Sequence, residues 1–484
     1  MPESSEITCK MLFNSASFLI FLPVVFVLYW FVCGRNVRSQ NLLLLASSYV
    51  FYGWWDWRFL FLLIFSTGLD YFTGLKIQDA QDPRWKRIWL WISVSANLGF
   101  LGFFKYFNFF VDSAIRLLET LGMQANPWSL KILLPVGISF YTFHGLSYVI
   151  DIYYGRITPT RNRTDYSLFV SYFPLLVAGP IERATHLLPQ LEKPRTFDDK
   201  LAIDGLRLAL WGFFKKLVIA DTMAVEVDRI FGGYEQYGGG NLILGAVYFA
   251  IQVYGDFSGY TDIARGISRL FGIELLLNFK FPYLSRSIPE FWGRWHISLS
   301  SWLNDYVFTP VALQLRDRGR NGMFIAVMTT FLVSGLWHGA AWHFVAWGGL
   351  HGLLYLPYIY RKSGLKGLVP RKEVPLRLRD IPSILLTFML VCVGYILFRA
   401  QDMEVAVKYL GGILSSPLSF DAYFLKSSFN IFIPLTFIID LVHRKGYLTG
   451  RYSTWFLVTE FSILTALILA LGNFGSVEFI YFQF

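Results

Sequence analysis

The amino-acid sequence predicts an all-α polytopic integral membrane protein. Of its 484 residues, 55% are hydrophobic and only 16% are charged, whereas soluble proteins carry about 25% charged residues. Long uncharged runs recur along the chain, and a soluble fold with so much apolar sequence would expose large patches to water. The 47 Phe, 27 Tyr and 16 Trp residues suit a bilayer, whose interfaces collect aromatic side chains.

The runs place the elements in order. Leu12 to Cys33 contains no charge and is long enough for about 30 Å of hydrocarbon. Glu3 and Glu6 precede it with only Lys10 as a base, so the pattern is an uncleaved first span rather than a signal peptide. Arg35 and Arg38 follow at once, which predicts an external N-terminus and a cytoplasmic first loop. Further runs are Leu42–Trp55, Phe59–Gly74, Ile88–Phe104, Ile132–Ile150, Tyr166–Ala178, Ile203–Ile219 and Leu242–Tyr254. After a polar stretch come Met323–Trp337, Ala340–Tyr360, Ile381–Phe398, Phe429–Ile439 and Trp455–Leu471. Several fall short of about 18 residues and are expected to tilt, fuse or re-enter; the total corresponds to roughly ten to thirteen membrane segments.

The net charge of +10 sits in short loops between apolar runs, the pattern of cytoplasmic loops in a bilayer rather than of nucleic-acid binding. The most basic loop, Arg361 to Arg379, holds seven Lys or Arg against Glu373, and Arg316, Arg318 and Arg320 form a second cluster. Both read as cytoplasmic topology anchors. Cys9, Cys33 and Cys392 lie far apart, which predicts neither a disulfide framework nor a thiolate metal site. There is no internal repeat of the transporter kind and no segment that would hold a soluble core of its own.

Residues 242–360 carry the chemistry. Tyr254-Gly255-Asp256-Phe257-Ser258-Gly259-Tyr260-Thr261-Asp262 puts two carboxylates among small residues at the edge of an apolar run. Ionisable groups at that depth line a cavity, or else they cap a helix or pair with Arg265 or Arg269 at the interface. Ser287 to Trp302 includes Phe291-Trp292-Gly293-Arg294-Trp295-His296, too polar to cross lipid and too aromatic for a solvated loop. It is expected to lie in the interface or dip into a protein-lined cavity. The forty residues between Arg320 and Arg361 contain no Asp, Glu, Lys or Arg but hold His338, His343 and His351, with Gly335-Leu336-Trp337-His338-Gly339 at their centre. Imidazole gives and takes protons near neutrality, and the flanking glycines permit close approach. The alternative for His338 is a buried histidine hydrogen-bonded between helices. Spacings of five and eight do not match the i, i+4 pair of a helical zinc site, so no metal is expected.

These motifs resemble the membrane-bound O-acyltransferase superfamily, in its bacterial branch of exopolysaccharide O-acetylation and teichoic-acid D-alanylation proteins. The resemblance runs from Met11-Leu12-Phe13-Asn14-Ser15 through Leu134 to Phe143, Phe173 to Ile181 and Asp256 to Tyr260. It is strongest in Phe291 to Ser300 and in Gly335 to Trp342. It implies one membrane domain over 1–484, with interfacial or re-entrant helices around a central tunnel. It implies that His338 is the essential histidine deep in that tunnel and that His296 is the second characteristic one. Trp337, Trp295 and Asp256 join them as candidate substrate-binding residues. So do Asp305 and Tyr306, which keep two of the three residues of the family's Arg-Asp-Tyr. The chain departs from the family at Asn304, at Ala312 to Arg316 where a Gly-Gly-Asn-Arg is usual, and at His144 where a glutamine is usual.

The expected reaction is acyl transfer, with acetyl the first choice of group. A thioester such as acetyl-CoA donates from the cytoplasmic side, His338 acts as general base on the attacking hydroxyl, and no bound cofactor is needed. A separate extracytoplasmic transferase is the implied partner in modifying a polysaccharide such as alginate, at the inner membrane of a bacterium. The competing readings are D-alanyl transfer from a carrier protein to teichoic acid, a transporter and a scaffold for a polysaccharide synthase.

Overall fold

The computed structural model describes residues 11–123, 130, 132–177, 179–361, 375–450, 452–475 and 479–480. All regular structure among them is helical. Contacts divide the chain into two compact units, 1–209 with 263–276, and 210–262 with 277–484.

The first unit begins with α1 (Ala16–Val27), capped by the Ser15 side chain and extended by a π turn over Leu28–Val32. Helix α2 (Val37–Asp79) starts on Asn36, whose side chain accepts from the Ser39 amide. It contains both predicted runs 42–55 and 59–74, broken at Asp56, where φ is −160° and ψ 108°. The Asp56 carboxylate holds Arg58 at 2.6 Å. Then come α3 (Pro83–Leu101), α4 (Phe107–Thr120), α5 (Ile138–Tyr153), α6 (Arg163–Ser171), α7 (Phe173–Leu176), α8 (Ala184–Leu191) and α9 (Asp199–Phe213), which crosses the unit boundary.

Between the apolar helices of this unit, several buried polar groups pair with one another. Asp70 of α2 accepts from Ser93 Oγ at 2.6 Å and Asn97 Nδ2 at 2.8 Å of α3. Asn41 donates to Asp165 at 2.8 Å, and Arg195 holds Asn41 and the Tyr29 hydroxyl. His144 Nε2 accepts the Glu182 amide N–H at 3.0 Å. A ring nitrogen thus supplies the acceptor at that position.

The second unit contains α10 (Asp221–Gly232), α11 (Gly239–Leu270, within this unit as far as Asp262), α12 (Ile288–Trp292), α13 (Ile297–Leu303), α14 (Thr309–Gln314), α15 (Gly319–His338), α16 (Trp342–Leu353) and α17 (Leu356–Tyr360). It closes with α18 (Ile381–Arg399), α19 (Met403–Ser415), α20 (Ala422–Leu425), α21 (Phe432–Arg444) and α22 (Thr454–Leu471). Most of the basic loop predicted from Arg361 to Arg379, and Cys9, lie outside the described residues.

Among the described residues, five helical stretches are long and apolar enough to cross a bilayer: Val37–Asp79, Pro83–Thr120, Gly239–Leu270, Leu378–Arg399 and Thr454–Leu471; Ala16–Val32 is shorter. The other apolar runs fold as shorter helices, several joined through π turns. The chain is a multi-pass, all-α membrane protein.

Helices α15 and α16 make the closest approach in the second unit. A Cβ on Gly335 would collide with the Phe344 carbonyl oxygen, and one on Gly348 with the Phe331 carbonyl. Small residues of this kind let helices meet backbone to backbone in a medium that offers no hydrophobic drive. Gly335→Ala is therefore predicted to destabilise the protein by about 1–3 kcal/mol through overpacking. Gly349→Ala, which meets only a Leu332 methyl at 3.9 Å, serves as control. Thermal unfolding followed by tryptophan fluorescence in detergent checks this; equal midpoints for the two variants would refute the packing account.

Candidate active site

Both candidate histidines belong to the second unit. His338 ends α15, because Gly339 turns to extended backbone with φ −159° and ψ 148°. A Cβ on Gly339 would strike the Phe344 ring, so the glycine is what lets α16 fold back over the histidine. Trp337 and Trp347 stand 4.8 and 5.0 Å from the His338 ring, and Phe398 of α18 at 5.2 Å. The imidazole is 5% exposed, enclosed in an aromatic box.

His296 arrives from the predicted dipping segment. It precedes α13 in the left-handed region, at φ 44° and ψ 53°, a conformation that costs about 1–3 kcal/mol and persists only when its surroundings impose it. Asn278 does much of the imposing: its carbonyl accepts the Ile297 N–H at 2.9 Å, and its side-chain oxygen accepts the Ser298 hydroxyl at 2.6 Å. Phe257 of α11 lies edge-on to the His296 ring at 4.7 Å. This segment is too short and polar to span, and burial pushes the His296 imidazole down to about 3, so the ring is neutral at physiological pH.

The two histidines meet: their ring centroids are 6.5 Å apart, with Trp337 5.9 Å from His296. The other histidines of the charge-free stretch serve elsewhere. His343 Nδ1 lies 3.0 Å from the Leu397 carbonyl, and His351 Nδ1 accepts the Trp292 indole N–H at 3.3 Å. Trp295 packs with Phe279, Phe291, Tyr283 and Tyr395 at 5.0–6.0 Å and supports the wall behind His296.

Asp256 is 3% exposed, and the lysines that hold it and Asp262 are far from them in sequence. Asp256 Oδ1 lies 2.6 Å from Lys216 Nζ, and its Oδ2 accepts the Ile480 N–H at 2.8 Å. Lys216 also holds Asp221 at 2.7 Å, and Lys215 holds Asp262 at 2.5 Å. Both lysines lie on a π turn, Phe214–Ala220. The triad puts Asp256 next to the site in sequence while Phe257 makes the contact with His296. Asp305 and Tyr306 lie on another π turn, Asn304–Phe308, with Tyr306 4.9 Å from Trp302.

A cavity of about 430 Å³ is bounded by Trp292, Ile297, Ser300, Asn304, Phe331 and Ser334 among others. Ile297 adjoins His296, and Ser334 is one helical turn before His338 on the same face of α15. Asn304, the departure from the family motif, is on its wall. The sequence reading missed Phe257, Trp347, Phe398 and Lys216. The available signal for Lys216 was a charge pair inside the apolar run 203–219; the aromatic residues carried none.

With this geometry in view, the comparisons decide the family. A model described as MBOAT, membrane-bound O-acyltransferase family, matches residues 160–362. The probable alginate O-acetylase AlgI of Pseudomonas putida is 41% identical over 409 residues, covering 84% of this chain and 80% of that protein. This chain belongs to the membrane-bound O-acyltransferase family. It is an O-acyltransferase. The peptidoglycan O-acetyltransferase of Helicobacter pylori is 32% identical over 84% of this chain and 80% of its own length. The teichoic acid D-alanyltransferase of Bacillus subtilis is 28% identical over 56% of this chain and 69% of its own length. The matched span of the family model contains His296, His338 and the α15–α16 contact.

The buried triad yields a second prediction. Lys216→Met leaves Asp221 and Asp256 without their cation and should cost about 3–5 kcal/mol, read as lost monodisperse protein in fluorescence-detected size exclusion. Lys216→Met combined with Asp256→Asn should recover part of that loss. No recovery would mean that the two groups are not energetically coupled.

Proposed function

We propose that this protein transfers acetyl from a cytoplasmic thioester toward an extracytoplasmic polysaccharide, with His338 as general base. The observation that carries the reading is the His338–His296 pair in an aromatic enclosure. The acceptor hydroxyl oxygen attacks the thioester carbonyl carbon while His338 takes its proton. The tetrahedral adduct then collapses, and the departing sulfur recovers a proton from the imidazolium, so acid and base are regenerated in each turnover. A positioned base contributes about 10²–10⁴-fold, and alignment in a site without water supplies much of the rest. His296, neutral and held by Asn278, orients the acyl group or the hydroxyl opposite His338. Trp337, in contact with both rings, keeps their spacing. Trp295, Asp305 and Tyr306 shape the surroundings of the donor.

Acetyl is preferred to D-alanyl because the O-acetylating relatives match at 32–42% identity over 82–84% of the chain, against 28% over about half for the D-alanylating ones. Alginate is the preferred polymer on the same ground. The donor we favour is acetyl-CoA, and the membrane is the bacterial inner membrane. An extracytoplasmic transferase receives or completes the transfer. The basic residues Arg316, Arg318 and Arg320 around the start of α15 support a cytoplasmic entry for the donor.

The test is reconstitution in liposomes with radiolabelled acetyl-CoA, reading thioester loss and label transferred for wild type, His338→Ala and Trp337→Ala. His338→Ala should lose at least about 10²-fold in turnover, and Trp337→Ala should fall less while inserting normally. Equal consumption by wild type and His338→Ala would remove His338 from the chemistry.

A further inference from the structure

We infer that Trp347 is a catalytic residue, its indole N–H the donor that stabilises the oxyanion formed at the thioester carbonyl. This rests on the reading of His338 as general base. Trp347 is 2% exposed, and its Nε1 has no hydrogen-bond partner among the described residues. A buried donor without an acceptor costs about 1–3 kcal/mol, and native proteins seldom leave one. The neighbouring indole shows the contrast: Trp292, 5.6 Å from Trp347, spends its N–H on His351.

Trp347 lies against the proposed base. Its ring is 5.0 Å from His338 at an interplanar angle of 83°. Phe398 at 5.5 Å and His351 at 4.9 Å enclose it further. Its backbone is fixed by the neighbouring Gly348, which lies on the Phe331 carbonyl, so the indole needs no rearrangement during the reaction. As the hydroxyl oxygen bonds to the carbonyl carbon, the π pair of the C=O moves onto oxygen and His338 receives the hydroxyl proton. The indole N–H then donates to that oxygen in a medium of low polarity, where such a bond counts most. On collapse the pair returns, the C–S bond breaks and the thiolate takes the proton from His338. The ligand class is the thioester carbonyl of a short acyl group, small enough to lie against an indole, two histidines and a phenyl ring.

The decisive substitution is isosteric. Replacing Trp347 by β-(3-benzothienyl)alanine exchanges N–H for sulfur and keeps the ring, with Trp347→Phe and His338→Ala made in parallel. In proteoliposomes with radiolabelled acetyl-CoA, the benzothienyl protein should lose about 10²-fold in kcat, the scale of one oxyanion donor. Its KM and thermal midpoint should stay near those of wild type. Full kcat in the benzothienyl protein with His338→Ala inactive would overturn the role of the N–H while leaving the base in place. Loss confined to Trp347→Phe would assign Trp347 to packing and equally overturn the inference. Activity retained in His338→Ala would fall on the parent reading instead.

Discussion

The contact between α15 and α16 governs the second unit. Gly335 and Gly348 bring two backbones together, Gly339 stops α15, and the returning helix lays Trp347 and Phe344 over its end. His338 is thereby confined on three sides by rings. In a bilayer no hydrophobic force between helices would pull them so close, and van der Waals packing across small residues must do it. A single added methyl at Gly335 therefore reaches the site through the backbone.

A second constraint comes from the cost of polar groups away from water. Lys216, Asp221 and Asp256 neutralise one another, and Asn278 fixes the strained backbone at His296. The consequence for function is rigidity: both imidazoles are held before any substrate arrives, which is what positioning catalysis requires. The second unit also holds a cavity of about 430 Å³, bordered by hydroxyls on α13 and α15 and by aromatic rings.

Much of this was legible in the sequence. Charge-free runs marked the helices because each must satisfy its backbone internally, and the motifs around His296 and His338 marked the two segments whose rings the fold brings together. The break at Asp56 and the π turns were not legible, since hydropathy does not register a local change of helical pitch. The lysine partners of Asp256 and Asp262 were not legible for a related reason. Lys215 and Lys216 are distant in sequence but near in space, brought inward on a π turn within an apolar run. Trp347 looked like one aromatic among many; only its place against His338 sets it apart.

The central claim is that acyl transfer at His338 connects the two sides of a membrane. The direct measurement uses vesicles with the protein in one orientation, the cytoplasmic face inward, and labelled acetyl-CoA sealed inside with a sugar acceptor and the extracytoplasmic transferase outside. The account predicts free CoA in the lumen and label on the external acceptor, both lost in His338→Ala. Label that stays in the lumen while CoA is released there, or label that reaches the acceptor equally well with His338→Ala, would contradict it.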